Sequence, residues 1–335
     1  TSAHMSDRGT SMPAPQLKGP AELVLATLVA RRYYIDGRTK IEIGDEFQLS
    51  RFKVARLLDN ARDLGLVRIE ISYPGSVDVD LSARLQERFQ LQHALVVDTH
   101  EEHEAALRKQ LGLAAAELLT EVLTAEDVLG LAWARSVRAM VTELRQIPNI
   151  PVVQLTGALS GSMESSSSVE DDNSIDVVRD VARLSGGPAY LFFAPLLVPD
   201  ASTATTMRRQ PDVARALTRI GSVTRAVMGI GRWAPAQSTL YDAATEPEQQ
   251  LLAEQGVCAE IGGVFLDVDG HPLHTPLNDR MVAMTVEQVK AVPDVIAIPY
   301  GVTKRPAVYA ALRSGLVNSL VTHTSLATAL ISDDP

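Results

Sequence analysis

Two groups of residues have the types and the spacing to do chemistry, and in both cases the chemistry is binding. The first is Ser50-Arg51-Phe52-Lys53 with Arg56 one turn further on. It places a hydroxyl, two guanidinium groups, an ammonium and an aromatic ring within a short reach of each other. Arginine can bond bidentately to guanine, while serine and lysine suit phosphates or base edges. The second group is a series of glycine-bearing segments that follow strand-like runs: Gly130 to Ser136, Thr156-Gly157, Gly229-Ile230-Gly231 and Gly301 to Lys304. Backbone N–H groups at a helix start, next to a lysine, make a natural anion site. A glycine after a strand can equally serve only its turn. Four such loops on one sheet edge say more than any one of them.

Other chemistries are excluded or left without support. Gly229-x-Gly231 lacks the third glycine and the downstream acid of a dinucleotide fingerprint, so no nicotinamide cofactor is expected. The single cysteine, Cys258, rules out an internal disulfide and a multi-cysteine zinc site. It reads as a small buried hydrophobe in an apolar strand. His100/His103 and His271/His274 have helix-turn spacing but no third ligand nearby, so neither pair is read as a metal site.

The elements around Arg51 form a recognisable series. Pro20 to Arg32 carries apolar residues at 23, 24, 28 and 29 and predicts a helix. A second, from Lys40 to Phe47, places Ile41, Gly44 and Phe47 on one side. Gln48-Leu49 turns the chain and Ser50 caps a third helix to about Leu64. In that third helix Val54, Leu57, Leu58, Ala61 and Leu64 face inward and Arg51, Phe52, Lys53 and Arg56 face out. A helix-turn-helix needs this arrangement: one helix braces another whose exposed N-terminal residues enter the major groove. Residues 66–71 and 77–81 alternate with period two around Tyr73-Pro74-Gly75-Ser76, which predicts a β-hairpin wing. An ordinary three-helix packing unit is the plainer alternative.

Beyond a short connecting helix at Ser82 to Phe89, strand-like and helical runs alternate to the C-terminus. Strands are expected at 94–98, 128–132, 152–156, 189–194, 226–230, 257–266, 295–299 and 319–322. Helices are expected between most of them. This pattern implies an α/β domain with a mostly parallel sheet covered on both faces. Ligands of such sheets collect at the carboxyl ends of the strands, where the glycine-bearing loops fall.

Composition agrees with two domains. The chain has 335 residues, of which 46% are hydrophobic, 21% charged and only 4% aromatic, so its core is built from Ala, Val, Leu and Ile. No apolar run reaches the roughly 18 residues of a membrane span, and a cytoplasmic protein without cofactor is expected. The net charge of −10 is unevenly spread: residues 17–71 carry a net +2 and the remainder a net −12. Only the N-terminal module could lie against a phosphate backbone. The expected division is 1–16 tag or disordered lead, with Thr1 to Met5 an expression scar, 17–81 winged helix-turn-helix, 82–92 linker helix, and 93–332 ligand-binding and oligomerisation domain.

The run from Tyr33 to Ile71 resembles the DNA-binding domain of the SorC/DeoR-type sugar-responsive transcription regulators. Tyr33, Tyr34, Ile43, Ser50, Arg51, Val54, Arg56, Leu57, Leu58, Ala61, Arg62, Gly65, Val67, Arg68 and Ile69 carry the likeness. Gly44 stands where that family usually has Ala, and Gln48 where its turn usually has Gly. The large region resembles the same family's effector domain, which has the Rossmann-like fold of sugar-phosphate isomerases. Matching stretches include 128–136, 152–159, 186–198, 229–231, 256–270, 278–282 and 301–331. The likeness thus covers nearly the whole chain after Pro20.

The resemblance implies a homodimeric or homotetrameric regulator, not an enzyme, whose partners are operator DNA and a sugar phosphate, or else a sugar or polyol. DNA contacts would come from Ser50, Arg51, Phe52, Lys53 and Arg56. Glu260 and Lys304 fall where such regulators hold sugar hydroxyls and a phosphate, and Ser136 would be a further donor. Thr156, Gly157, Asn173, Gly229 and Gly231 would border the pocket. Ala134 replaces the glycine of the family's Trp-Gly-Arg-Thr loop, and His323-Thr324 replaces an Asp-Glu pair. The serine-rich stretch 160–174 reads as an acidic lid over the pocket. The alternative is a working sugar-phosphate isomerase or deaminase with a regulatory appendage, with Glu260 and the region near His323 as candidate acid–base groups.

Overall fold

The computed structural model describes residues 19–67, 77–99, 103–159 and 174–332. The chain divides into two compact units, Thr1–Ser72 and Tyr73–Pro335. Residues 1–16, the first strand of the expected wing beyond Val67, Asn173 and all but the last residue of the serine-rich stretch lie outside the described residues.

In the first unit, helix α1 (Pro20–Tyr34) begins with proline in its first turn and runs two residues past the expected end at Arg32, through Tyr33 and Tyr34. Of its expected apolar stripe only Val29 lies on the buried face. Ala26, Val29 and Ala30 are buried, whereas Leu23, Val24 and Leu28 are exposed. The small residues win because they permit close approach to α3 (Arg51–Asp63). Helix α2 (Lys40–Phe47) opens on a capping box between Thr39 and Glu42. It buries Ile43 rather than Ile41, which is exposed. The turn to α3 explains one departure from the family pattern, Gly44, and leaves the other, Gln48, without a structural reason. Gln48 is in the left-handed region at φ 54°, where glycine is the residue without a steric penalty. A Cβ on Gly44 would lie 2.6 Å from the Leu49 carbonyl oxygen. Ser50 caps α3 by accepting the Lys53 N–H at 3.2 Å. Val54, Leu57, Leu58 and Ala61 are buried, while Leu64 lies past the helix end and is exposed.

The expected second wing strand is a helix. Residues Val79–Phe89 form α4, with Asp78 accepting the Leu81 N–H at 2.9 Å as N-cap. Leu81, Leu85 and Phe89 share one face of it, and the apparent period of two at 77–81 is too short to outweigh that stripe. Helix α4 belongs to the large unit: Val77 bridges Val97, and Leu85 is part of the main core.

The large unit is an α/β sandwich. Its strands are β1 (His93–Val97), β2 (Leu129–Leu131), β3 (Val152–Gln154), β4 (Ala189–Tyr190), β5 (Arg225–Met228), β6 (Gly231–Arg232), β7 (Ala259–Ile261), β8 (Val264–Leu266), β9 (Pro272–Leu273), β10 (Asp294–Ala297) and β11 (Ser319–His323). Seven of them form a parallel sheet in the order β1-β11-β10-β5-β2-β3-β4. Successive strand residues enter opposite cores: Leu320 and Val295 face one cluster, Val321 and Ile296 the other. Crossover helices include α5 (Glu104–Val122) and α6 (Arg135–Glu143), packed side by side, and α7 (Ser174–Ser185). The run 257–266, expected as one strand, folds back at Gly262-Gly263, both with positive φ, into the β7–β8 hairpin of a second sheet, β6-β7-β8-β9. Among the described residues no helix is long and apolar enough to cross a membrane.

Charged groups at the strand starts staple the sheet at the edge opposite the loops. Arg225 reaches both Asp127 and Asp294, and Asp294 also accepts the Ser319 hydroxyl at 2.7 Å.

Candidate ligand-binding cleft

At the carboxyl ends of β2, β5 and β10 the chain leaves the sheet and opens a cleft that communicates with solvent. Residues Ala132 to Ser136 follow β2 into α6, Gly229 to Gly231 connect β5 to β6, and Tyr300 to Lys304 follow β10. The hairpin β7–β8 supplies Glu260 from the second sheet. Strands too short to reach past the sheet edge leave these loops as the cleft walls.

Helix α6 starts at the cleft with Ala134 as N-cap, which has no side chain to satisfy the free N–H groups of the first turn. Arg135, the first helical residue, is exposed; Ser136 beside it is buried. Lys304 lines the cleft as well. Its ammonium donates to the Ile230 carbonyl at 3.3 Å and lies 4.7 Å from the centre of the Tyr300 ring. Burial lowers its pKa, against the opposing pull of Glu260 and Glu104. Arg108, 3.6 Å from Glu104, places its guanidinium 5.5 Å from the same ring.

Burial pushes the Glu260 carboxyl above its usual range. The Ser238 hydroxyl, which donates to Oε1 at 3.1 Å, the Gly263 N–H and Lys304 partly offset that. Below the Lys304 loop, His323 is buried and its Nε2 accepts the Gly301 N–H at 3.1 Å. Burial lowers the His323 pKa, and a neutral ring is the form that can accept that bond.

The cleft thus gathers Ser136, Thr156, Gly229, Gly231, Glu260 and Lys304. Gly157 is not in its lining; its N–H bonds the Val282 carbonyl at 2.8 Å and its α-carbon packs on Pro195 and Leu196. Asn173 lies outside the described residues. Sequence reasoning missed Arg135, Gln237, Ser238 and Tyr300 as lining residues. Arg135 could have been found from its place at a helix start after a strand. Gln237 and Ser238 could not, because the two-residue β6 that delivers them carries no strand signal. Trp133 lines the cleft, whereas Trp233 is buried between Tyr241 and Phe265. Cys258 is half-buried. His271 and His274 each face a different carboxylate, Asp267 and Asp279.

Residues 74–332 match the profile of a sugar-binding domain, Sugar-bind. The chain belongs to the Sugar-bind family. The matched segment contains every cleft residue named above. Among curated relatives, the transcriptional regulator LsrR of Klebsiella pneumoniae is 27% identical over 321 residues, covering 93% of this chain and 94% of that one. LsrR of Escherichia coli K12 is 25% identical, covering 94% and 96%. Among solved structures, the full-length sorbitol operon regulator SorC of Klebsiella pneumoniae superposes with a TM-score of 0.70 at 23% identity, covering 93% of this chain and all of that one, which shows a shared fold. A DeoR family regulator of Listeria monocytogenes gives 0.67 at 25% identity over 75% of this chain.

Proposed function

We propose that this Sugar-bind protein is a DNA-binding transcription regulator whose grip on its operator is set by a sugar phosphate bound in the cleft of the large unit. The observation that carries the reading is one cleft that brings Arg135, the uncapped start of α6 and Lys304 together with Glu260 and Ser238. The first three suit a phosphate, by charge and by free N–H groups. The carboxylate and hydroxyl suit sugar hydroxyls. Arg135 also answers the charge problem posed by the acidic body, since a dianion needs more than one lysine.

In the first unit, α2 and α3 act as the helix-turn-helix. Arg51, Phe52, Lys53 and Arg56 are exposed on the N-terminal part of α3, and the Arg51 guanidinium lies 5.1 Å from the centre of the Phe52 ring. One such module reads few base pairs, so a homodimer or homotetramer placing paired modules on symmetric half-sites is part of the proposal. Control requires that the effector bind the DNA-competent and DNA-incompetent arrangements with different affinity.

Binding without turnover is favoured over isomerase chemistry. Burial raises the pKa of Glu260, but His323, the candidate partner, spends its Nε2 on Gly301 and is not in the cleft lining. The test is a thermal-shift screen of the full chain against sugars, polyols and their phosphates, followed by operator binding with each hit. Stabilisation by sugar phosphates together with altered operator affinity is the expected result. Isomerised product on incubation with pentose and hexose phosphates would overturn it.

A further inference from the structure

We propose that Gln237 is a specificity-determining residue of the cleft, its amide oxygen taking a hydroxyl of the bound ligand; this rests on the sugar-phosphate reading and deepens it. Gln237 lines the cleft, and among the described residues its Oε1 is a buried side-chain oxygen without a hydrogen-bond partner. Buried polar atoms are nearly always partnered, and an exception at a binding cleft points to a group supplied from outside.

The loop that carries Gln237 is built rather than loose. Trp233 is wedged edge-on against Tyr241 and Phe265, and its indole N–H donates to the Gln249 carbonyl at 3.1 Å. Ala236 takes a left-handed conformation, φ 59°, held by its N–H donating to the Asp242 carboxylate at 2.9 Å. Such strain persists where surrounding structure over-determines it, and it gathers at ligand sites. Gln237 N–H bonds Ala234 at 3.1 Å, and Ser238 next to it both caps the following helix and donates to Glu260. The amide is therefore set on a fixed backbone, one residue from the Ser238–Glu260 pair.

A small polar group entering the cleft would satisfy this oxygen. A hydroxyl fits best, because it can donate to Oε1. A phosphate does not fit, since an acceptor oxygen beside Glu260 repels it. Glu260 and Gln237 together therefore call for a ligand with hydroxyls to donate, while Lys304 and Arg135 take its charge.

The test titrates full-length wild type, Gln237→Leu and Gln237→Ala with ribose 5-phosphate, 2-deoxyribose 5-phosphate, sorbitol 6-phosphate and inorganic phosphate, by calorimetry. For the sugar phosphate that wild type binds most tightly, both variants are expected to lose about tenfold or more in affinity relative to their change for inorganic phosphate. Equal losses for both kinds of ligand, or no loss, would overturn the inference while leaving the sugar-phosphate reading in place. Wild type that binds none of the three sugar phosphates would remove that reading and the inference with it.

Discussion

Gly231 stands opposite Glu260 in the antiparallel β6–β7 ladder, so close that a Cβ on Gly231 would lie 2.5 Å from the Glu260 carboxylate oxygen. The same Cβ would meet Ser238 at 2.8 Å. The glycine is thus the space in which the carboxylate and its hydroxyl partner sit. Gly231→Ala is expected to displace Glu260 and weaken sugar-phosphate binding by about 10- to 100-fold, the loss of one charge-assisted hydrogen bond. Calorimetry checks it, with thermal melting to separate this from overpacking, which costs about 1–3 kcal/mol. Binding unchanged from wild type would show that Glu260 does not touch the ligand.

Lys304 works against stability when the cleft is empty. Burial lowers its pKa below the ordinary 10.5, so the folded state holds this proton less tightly than the unfolded one. Stability therefore rises with pH as it climbs from the native pKa through 10.5. Lys304→Met is expected to melt higher than wild type near pH 7, with the difference shrinking at alkaline pH. The same substitution should weaken sugar-phosphate binding by about 2–5 kcal/mol, the range for truncating one partner of a buried charge pair. A variant that is less stable yet binds normally would make Lys304 a structural residue.

Residues carried much of this site openly, and where they did not the reasons are physical. Lys304 stood out as a lysine at a helix start after a glycine loop, whereas Glu260 was reached only through the family resemblance, since a single carboxylate in a strand reads equally as a surface residue. The parallel sheet was legible because its strands are apolar on both faces, as in Val295, Ile296 and Ala297. The hairpin at Gly262-Gly263 was not, since an unbroken apolar run reads the same straight or folded. Helix α1 misled for a related reason: Leu23, Val24 and Leu28 weigh more in any apolar stripe than Ala26 and Ala30, yet alanines are what let α3 approach. Asp78 was a cap hidden inside a period-two pattern of five residues.

His323 ties the Lys304 loop to β11 through a bond that only a neutral ring can accept. Burial holds its pKa below the ordinary 6.5. The unfolded chain therefore binds the proton first, and stability is lost as pH falls from about 6.5 through the native value. Protonation would turn Nε2 into a donor facing the Gly301 N–H, freeing the loop that carries Lys304. Sugar-phosphate affinity is expected to fall over the same acid window. His323→Gln, which keeps an acceptor and does not titrate, should flatten both profiles. Identical profiles in wild type and variant would place the acid response elsewhere.

In the proposed reading DNA is recognised by the exposed surface of α3, and its chemistry separates base reading from phosphate contact. Arg51 and Arg56 lie five residues apart on the exposed side of α3, with Val54, Leu57 and Leu58 buried behind them. Arg51→Ala or Arg56→Ala should each weaken operator binding by about 1–3 kcal/mol if the guanidinium reads a guanine, and should relax sequence preference at one base pair. Lys53→Ala should instead weaken operator and unrelated DNA alike and reduce the salt dependence by about one ion. Exposed side chains contribute little to folding, so all three variants should melt within about 0.5 kcal/mol of wild type. Gel-shift titrations at two salt concentrations, with operator and scrambled duplex, distinguish the cases. Operator affinity unmoved by both arginine changes would mean that α3 does not enter the groove, whatever its likeness to a recognition helix.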